Sequence, residues 1–88
     1  MSYFVYLIGS IKNNKIKTYV GYTNNLSTRL TKHNRGKGAK STRGRKWRVI
    51  YFKKYKFKKR AMSFEYFLKK NRKLRKNKLI KFLSTSQL

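Results

Sequence analysis

Acid is almost absent from this chain: a single Asp or Glu, Glu65, stands against 26 Lys and Arg in 88 residues, giving a formal net charge of +25. Internal salt bridges therefore cannot neutralise it. Cysteine is missing altogether, which excludes zinc knuckles, disulfides and thiol chemistry and removes any sign of an oxidising compartment. No apolar run approaches transmembrane length. Met1 leads directly into a strand, without the basic region, long apolar stretch and small-residue cleavage site of a leader. The expectation is a cytoplasmic protein that uses no membrane. Proline is also absent, as are internal repeats and any linker long enough to separate a second domain from the first. Residues 1–88 read as one domain with a small core, burying only about 60 to 65% of the surface its unfolded chain exposes.

What the chain does have is positive charge interleaved with aromatics. Seven Tyr, six Phe and one Trp are available to fill space between a few elements. A compact domain so charged repels itself, and a polyanion relieves that repulsion while releasing its own condensed counterions. Nucleic acid is the natural partner. A merely solvated basic surface or an anionic membrane accounts for the excess less well. Basic disordered tails gather their cations at one end and lack aromatics, whereas here the cations run through the whole chain.

The hydrophobic period places the elements. Residues 3–9 form an apolar strand whose incomplete alternation predicts a central position, covered on both faces. Ser10 to Lys15 turn the chain, with Asn13-Asn14 supplying residues that tolerate positive backbone angles. Ile16 to Tyr22 should return antiparallel. Around Thr23 to Asn25 the period changes from strand to helix, and Thr and Asn favour helix N-caps. The helix is expected from about Asn25 to Asn34, with Arg29 and His33 one turn apart on one side of it, aimed near the end of the strand that carries Tyr19. Arg35 to Lys46 then form a loop holding three of the five glycines and six basic residues, with Lys37, Lys40, Thr42, Arg43, Arg45 and Lys46 as candidate phosphate contacts.

Trp47 to Phe52 restore strand character, continuing to about Tyr55. Beyond it, Ala61, Phe64, Glu65 and Leu68 share one helix face, and Leu74, Leu79, Ile80 and Leu83 suggest a further helix. Asn71 and Asn77 are its weak points. The order strand, strand, helix, strand, helix, helix predicts an α+β fold, a small three-stranded antiparallel sheet flanked by helices.

The chemistry-bearing set is Tyr6, Tyr19, Arg29, His33 and Glu65. A strand tyrosine is more often core than catalyst, Arg29 is one cation among many, and a lone helix histidine is usually polar surface. Glu65 stands out because the sole acid falls on an apolar stripe. A carboxylate there calls for a buried cation or a metal ion.

Val5-Tyr6-Leu7, then Tyr19-Val20-Gly21, Thr23, Arg29, His33-Asn34, Gly38-Ala39, Thr42, Trp47, Ala61 and Glu65, in that order and at that spacing, resemble the GIY-YIG nuclease superfamily. The similarity covers residues 3 to about 83 and is greatest to small stand-alone bacterial members. Phe4 stands where the family's first motif begins with glycine. The resemblance implies metal-dependent hydrolysis of DNA phosphodiesters, with duplex or branched DNA as partner and a place in repair or recombination. By position it puts Tyr6 and Tyr19 in the site, Arg29 and His33 facing them, and Glu65 on the metal.

Those residue types suit the reaction. A phosphodiester attack needs a water deprotonated, charge on the phosphoryl oxygens absorbed and the departing oxygen stabilised. Mg2+ (or Mn2+) keeps much of its water shell and needs only one or two carboxylates, so a lone Glu65 suffices. With one acid in the chain, a two-metal site is excluded. No small-molecule cofactor is expected. Arg29 suits the scissile phosphate through its planar fork. Tyr6 is the expected base, its pKa lowered by nearby cations and the metal, with Tyr19 or His33 orienting water or sharing the proton. A non-catalytic, strongly basic nucleic-acid-binding module on the same scaffold is the alternative.

Overall fold

A computed structural model describes residues 1–86. Two strands, β1 (Tyr3–Lys12) and β2 (Lys15–Thr23), are followed by helix α1 (Leu26–Asn34), a 3-10 turn (Lys40–Thr42), strand β3 (Arg48–Tyr55) and helices α2 (Lys58–Lys70) and α3 (Arg72–Ser86). The predicted order holds. The strands form one antiparallel sheet in the order β2-β1-β3, so β1 is central.

Only Asn13 and Asn14 make the hairpin turn, at φ 53° and 64°. Both central residues of a two-residue type I′ turn need positive φ, and asparagine is among the few side chains that accept it. Pairing continues out to Lys12 and Lys15, so the hairpin is tighter than a turn over Ser10 to Lys15. Asn25 caps α1 as expected, its side chain accepting the Thr28 N–H at 3.1 Å. On the β3 side the register slips between Leu7 and Ile8, which leaves Ile50 as a bulge. A Cβ on Gly9 would run into the Ile50 side chain.

Side chains alternate along β1, and each face has its own core. Val5 and Leu7 join Val20, Ala61 and Leu68, with Phe64 and Leu74 packed around them, so α2 covers this face. Tyr6 and Ile8 point the other way, to Trp47, with Tyr19, Leu26, Leu30 and Val49 against them, so α1 covers that one. Trp47 itself lies outside the strand it was expected to begin. Its indole is buried while its backbone is tied to α1. Asn71 separates α2 from α3, its Oδ1 accepting the Leu74 N–H at 3.0 Å, whereas Asn77 lies inside α3 without breaking it. No helix among the described residues is long and apolar enough to cross a membrane.

Candidate active site

His33 is the centre of the site. It projects from the last turn of α1 towards the sheet and is 1% exposed. Its Nε2 lies 2.8 Å from the Tyr6 hydroxyl and its Nδ1 lies 2.9 Å from the Thr42 hydroxyl. The Tyr19 ring stands beside it, 5.1 Å between centroids. β1, β2, α1 and the loop after α1 therefore each contribute one wall.

The Thr42 hydroxyl is the partner that selects the imidazole tautomer. Thr42 has one hydroxyl proton, for which the Ala39 carbonyl lies 2.9 Å away and can be the acceptor. The oxygen then accepts from the Ala39 N–H at 3.2 Å and from His33 Nδ1. In that arrangement Nδ1 carries the hydrogen and Nε2 accepts from Tyr6 Oη, whereas donation from Thr42 to Nδ1 would exchange the two roles. Thr42 is fully buried in this role. It is not on the surface offered to nucleic acid, which corrects the reading of it as a phosphate contact.

Two glycines make the close approaches possible. Gly21 pairs with Tyr6 across the sheet, and the phenol crosses the space a Cβ would occupy. At Gly38 a Cβ would collide with the His33 imidazole. The loop is fastened at its far end as well. Asn34 receives the Trp47 N–H at 2.6 Å and donates to the Trp47 carbonyl at 3.2 Å, while the indole N–H donates to the Thr42 carbonyl at 2.8 Å. Sequence reasoning missed these positioning roles of Gly38, Asn34 and Trp47, although their spacing from His33 carried the signal.

Burial sets the proton affinities. It pushes the Tyr6 phenol up to about 12, while the nearby Arg29 guanidinium works in the opposite direction without prevailing. Desolvation outweighs the cation, so the neighbouring cations do not by themselves lower the Tyr6 pKa. Burial, and secondarily Arg29, pull His33 below its ordinary 6.5. At neutral pH the site holds a neutral phenol hydrogen-bonded to a neutral imidazole.

Glu65 lies on α2, with its side chain 17% exposed, and its charge is felt at Tyr6. Its ion-pair partner is Lys69, one turn on, at 3.5 Å and 53% exposed. The carboxylate is therefore not neutralising a buried cation. No cluster of three or more His, Cys, Asp or Glu occurs among the described residues. One partly open carboxylate fits a Mg2+ or Mn2+ ion whose remaining ligands are water and substrate phosphate, and it fits no closed protein cage.

The basic loop divides. Lys37, Lys40, Arg43 and Lys46 are exposed. Arg45 is largely committed to the fold, donating to the carbonyls of Ser10 at 3.1 Å and Lys15 at 3.3 Å and lying over Trp47. Lys17 and Lys12 tie the loop back to the hairpin through the Ser41 and Gly44 carbonyls.

Known proteins are similar to this chain. A protein of Oceanobacillus iheyensis, named UPF0213 protein OB0043, is 52% identical over 65 residues, covering 73% of this chain and 76% of that one. UPF0213 protein CPE1444 of Clostridium perfringens is 41% identical over 71 residues, covering 80% and 73%. The solution NMR structure of the UPF0213 protein BH0048 from Bacillus halodurans is similar at a TM-score of 0.51 and 36% identity, over 92% of this chain and 84% of that one. The GIY-YIG catalytic domain matches residues 2–79, a span that takes in both tyrosines, the histidine they meet and the glutamate behind them, and the chain belongs to that family.

Proposed function

We propose that this chain is a metal-dependent endonuclease that hydrolyses DNA phosphodiester bonds with little sequence specificity. The observation that carries the reading is the buried 2.8 Å hydrogen bond between Tyr6 Oη and His33 Nε2, which the reading takes with Nε2 as the acceptor. A phenol with a pKa near 12 is a poor base by itself. Coupled to a neutral imidazole it becomes competent, because its own proton passes to His33 as it takes one from the attacking water. Thr42 holds the imidazole in the accepting tautomer, and Tyr19, beside the same ring, orients the water.

Arg29 grips the scissile phosphate and absorbs charge as it develops on the phosphoryl oxygens. Glu65 holds the Mg2+ or Mn2+ ion, which when bound supplies Lewis-acid stabilisation of the departing oxygen. Low specificity is part of the proposal because the sequence offers no recognition helix with Asn or Gln gathered on a clear face. The exposed Lys37, Lys40, Arg43 and Lys46 contact phosphates, which position DNA without reading its sequence.

Nicking of supercoiled plasmid and of a branched duplex, with and without magnesium or manganese, tests the reading. Nicks are expected only with metal, on both substrates. Tight binding with no cleavage under either metal would replace it with a non-catalytic DNA-binding module.

A further inference from the structure

Positive charge is densest at the junction of α2 and α3, away from the loop. Seven of the ten residues from Lys69 to Lys78 are Lys or Arg. Arg75 is committed to the fold, its guanidinium donating to the carbonyls of Leu68 and Lys69 at the end of α2. Arg72, Lys73 and Lys76 are exposed, and with Leu79 they form one wall of a groove of about 620 Å³. Ile16 and Thr18 of β2 form the other wall. The chain's sole acidic side chain is already paired with Lys69, so no acidic side chain offsets the cations lining this groove.

Its position matters as much as its charge. β2 is an edge strand. Thr18 precedes Tyr19, and Gly21, over which the Tyr6 ring extends, is three residues on. The groove opens on the face of the sheet that Val20 shares with α2, and the Tyr6–His33 pair lies on the face covered by α1, so the β2 edge is the boundary the two sites share. At about 3.4 Å per residue, Thr18 and Gly21 are about 10 Å apart along the strand.

We infer that this groove is a second DNA-backbone site, holding phosphates of a strand that passes around the β2 edge towards the bond that is cut. The inference deepens the endonuclease reading and rests on it for the identity of the polyanion. Arg72, Lys73 and Lys76 each neutralise a phosphate, and the strand they hold is fed around the β2 edge to Arg29 and Tyr6.

The test is the salt dependence of binding to a 20-base-pair duplex, followed by fluorescence anisotropy, for the natural chain and for the triple variant Arg72→Gln, Lys73→Gln, Lys76→Gln. Each phosphate contact contributes about 0.9 to the log–log slope, so the triple variant should be shallower by about 2 to 3. Its thermal melt should be unchanged or raised, because exposed like charges are removed. Arg72→Lys with Lys73→Arg and Lys76→Arg should restore the slope. A natural chain that binds duplex with a slope the triple variant leaves intact would overturn the inference alone. Loss of binding to anionic phospholipid vesicles, with the DNA slope intact, would make the groove a membrane contact instead. A shallower slope in the triple variant with no metal-dependent nicking by the natural chain would uphold the groove and sink the nuclease reading. Failure of the natural chain to bind duplex would remove both.

Discussion

Gly21 stands directly across the β1–β2 ladder from Tyr6, and the tyrosine's phenol crosses the space that any side chain there would fill. The third residue of Tyr19-Val20-Gly21 is thus a steric condition on Tyr6, set by close approach and not by backbone angle. We predict that Gly21→Ala displaces the Tyr6 hydroxyl from His33 and costs about 1–3 kcal/mol through overpacking. Cleavage should fall by about 10²-fold or more, as for loss of a general base. A melt and a nicking rate that both match the natural chain would show that the ring is free to move aside.

Removing the hydroxyl itself is the gentler experiment. Tyr6→Phe keeps the ring in its core beside Ile8 and Trp47, so the fold should persist. DNA affinity should stay the same while nicking drops by about 10²-fold or more. Cleavage at the normal rate would transfer the proton-accepting role to Tyr19 or His33.

Thr42 provides a test of the tautomer. Thr42→Val leaves the His33 Nδ1–H and the Ala39 N–H without their acceptor in a buried place, at a cost of about 1–3 kcal/mol. Thr42→Ser should recover most of the loss. Nitrogen NMR of His33 gives the readout that a purely structural role would not move: hydrogen on Nδ1 in the natural chain and in the serine variant, and a mixed signal in the valine variant.

The pH profile follows from burial of His33 among Tyr6, Tyr19 and Arg29. Its pKa is lower in the fold than in the unfolded chain, so the unfolded state binds the proton more readily. The stability this contributes is complete above about 6.5 and is lost as pH falls towards the folded value. Thermal melts should therefore decline below that pH. Protonated His33 cannot accept from Tyr6, so kcat/KM should fall with an apparent pKa below 6.5. An acidic limb centred above neutrality would contradict the assigned role.

Glu65→Gln separates metal binding from structure. Because the carboxylate's ion pair is with a half-exposed lysine, its loss should shift stability by no more than about 1 kcal/mol. Nicking should collapse across a magnesium titration, while binding to DNA persists or tightens. A large drop in melting temperature with metal-dependent nicking intact would mean that Glu65 serves the fold.

The elements were legible because their signals are local. The change of period at Thr23 to Asn25, the Asn13-Asn14 turn and the stripe Ala61, Phe64, Leu68 each depend on near neighbours in the chain. The loop was legible only in part. A glycine required by close approach, as at Gly38, looks in sequence like one that supplies flexibility, and a fully buried Thr42 looks like any surface threonine. Both suggest a cradle for phosphate, yet they hold His33 in place. The proton affinity of Tyr6 is hidden for a related reason: cations can be counted in a sequence, but the desolvation that outweighs them is a property of the packed sheet.

Ahead of the buried Trp47 ring, the segment between α1 and β3 is held down by polar links, from His33 to Thr42, from Asn34 to Trp47 and from the Trp47 indole to the Thr42 carbonyl. Segments secured this way open more readily than a sheet buried on both faces. Each such opening would part the imidazole from Thr42 and, under the proposed mechanism, leave the proton acceptor unaligned for the fraction of the time that the segment is open. Amide exchange at Ala39 and Trp47, whose N–H groups are bonded only while the segment is closed, is then a clock for that fraction. Turnover should slow with temperature wherever those amides exchange fast, well before the sheet melts.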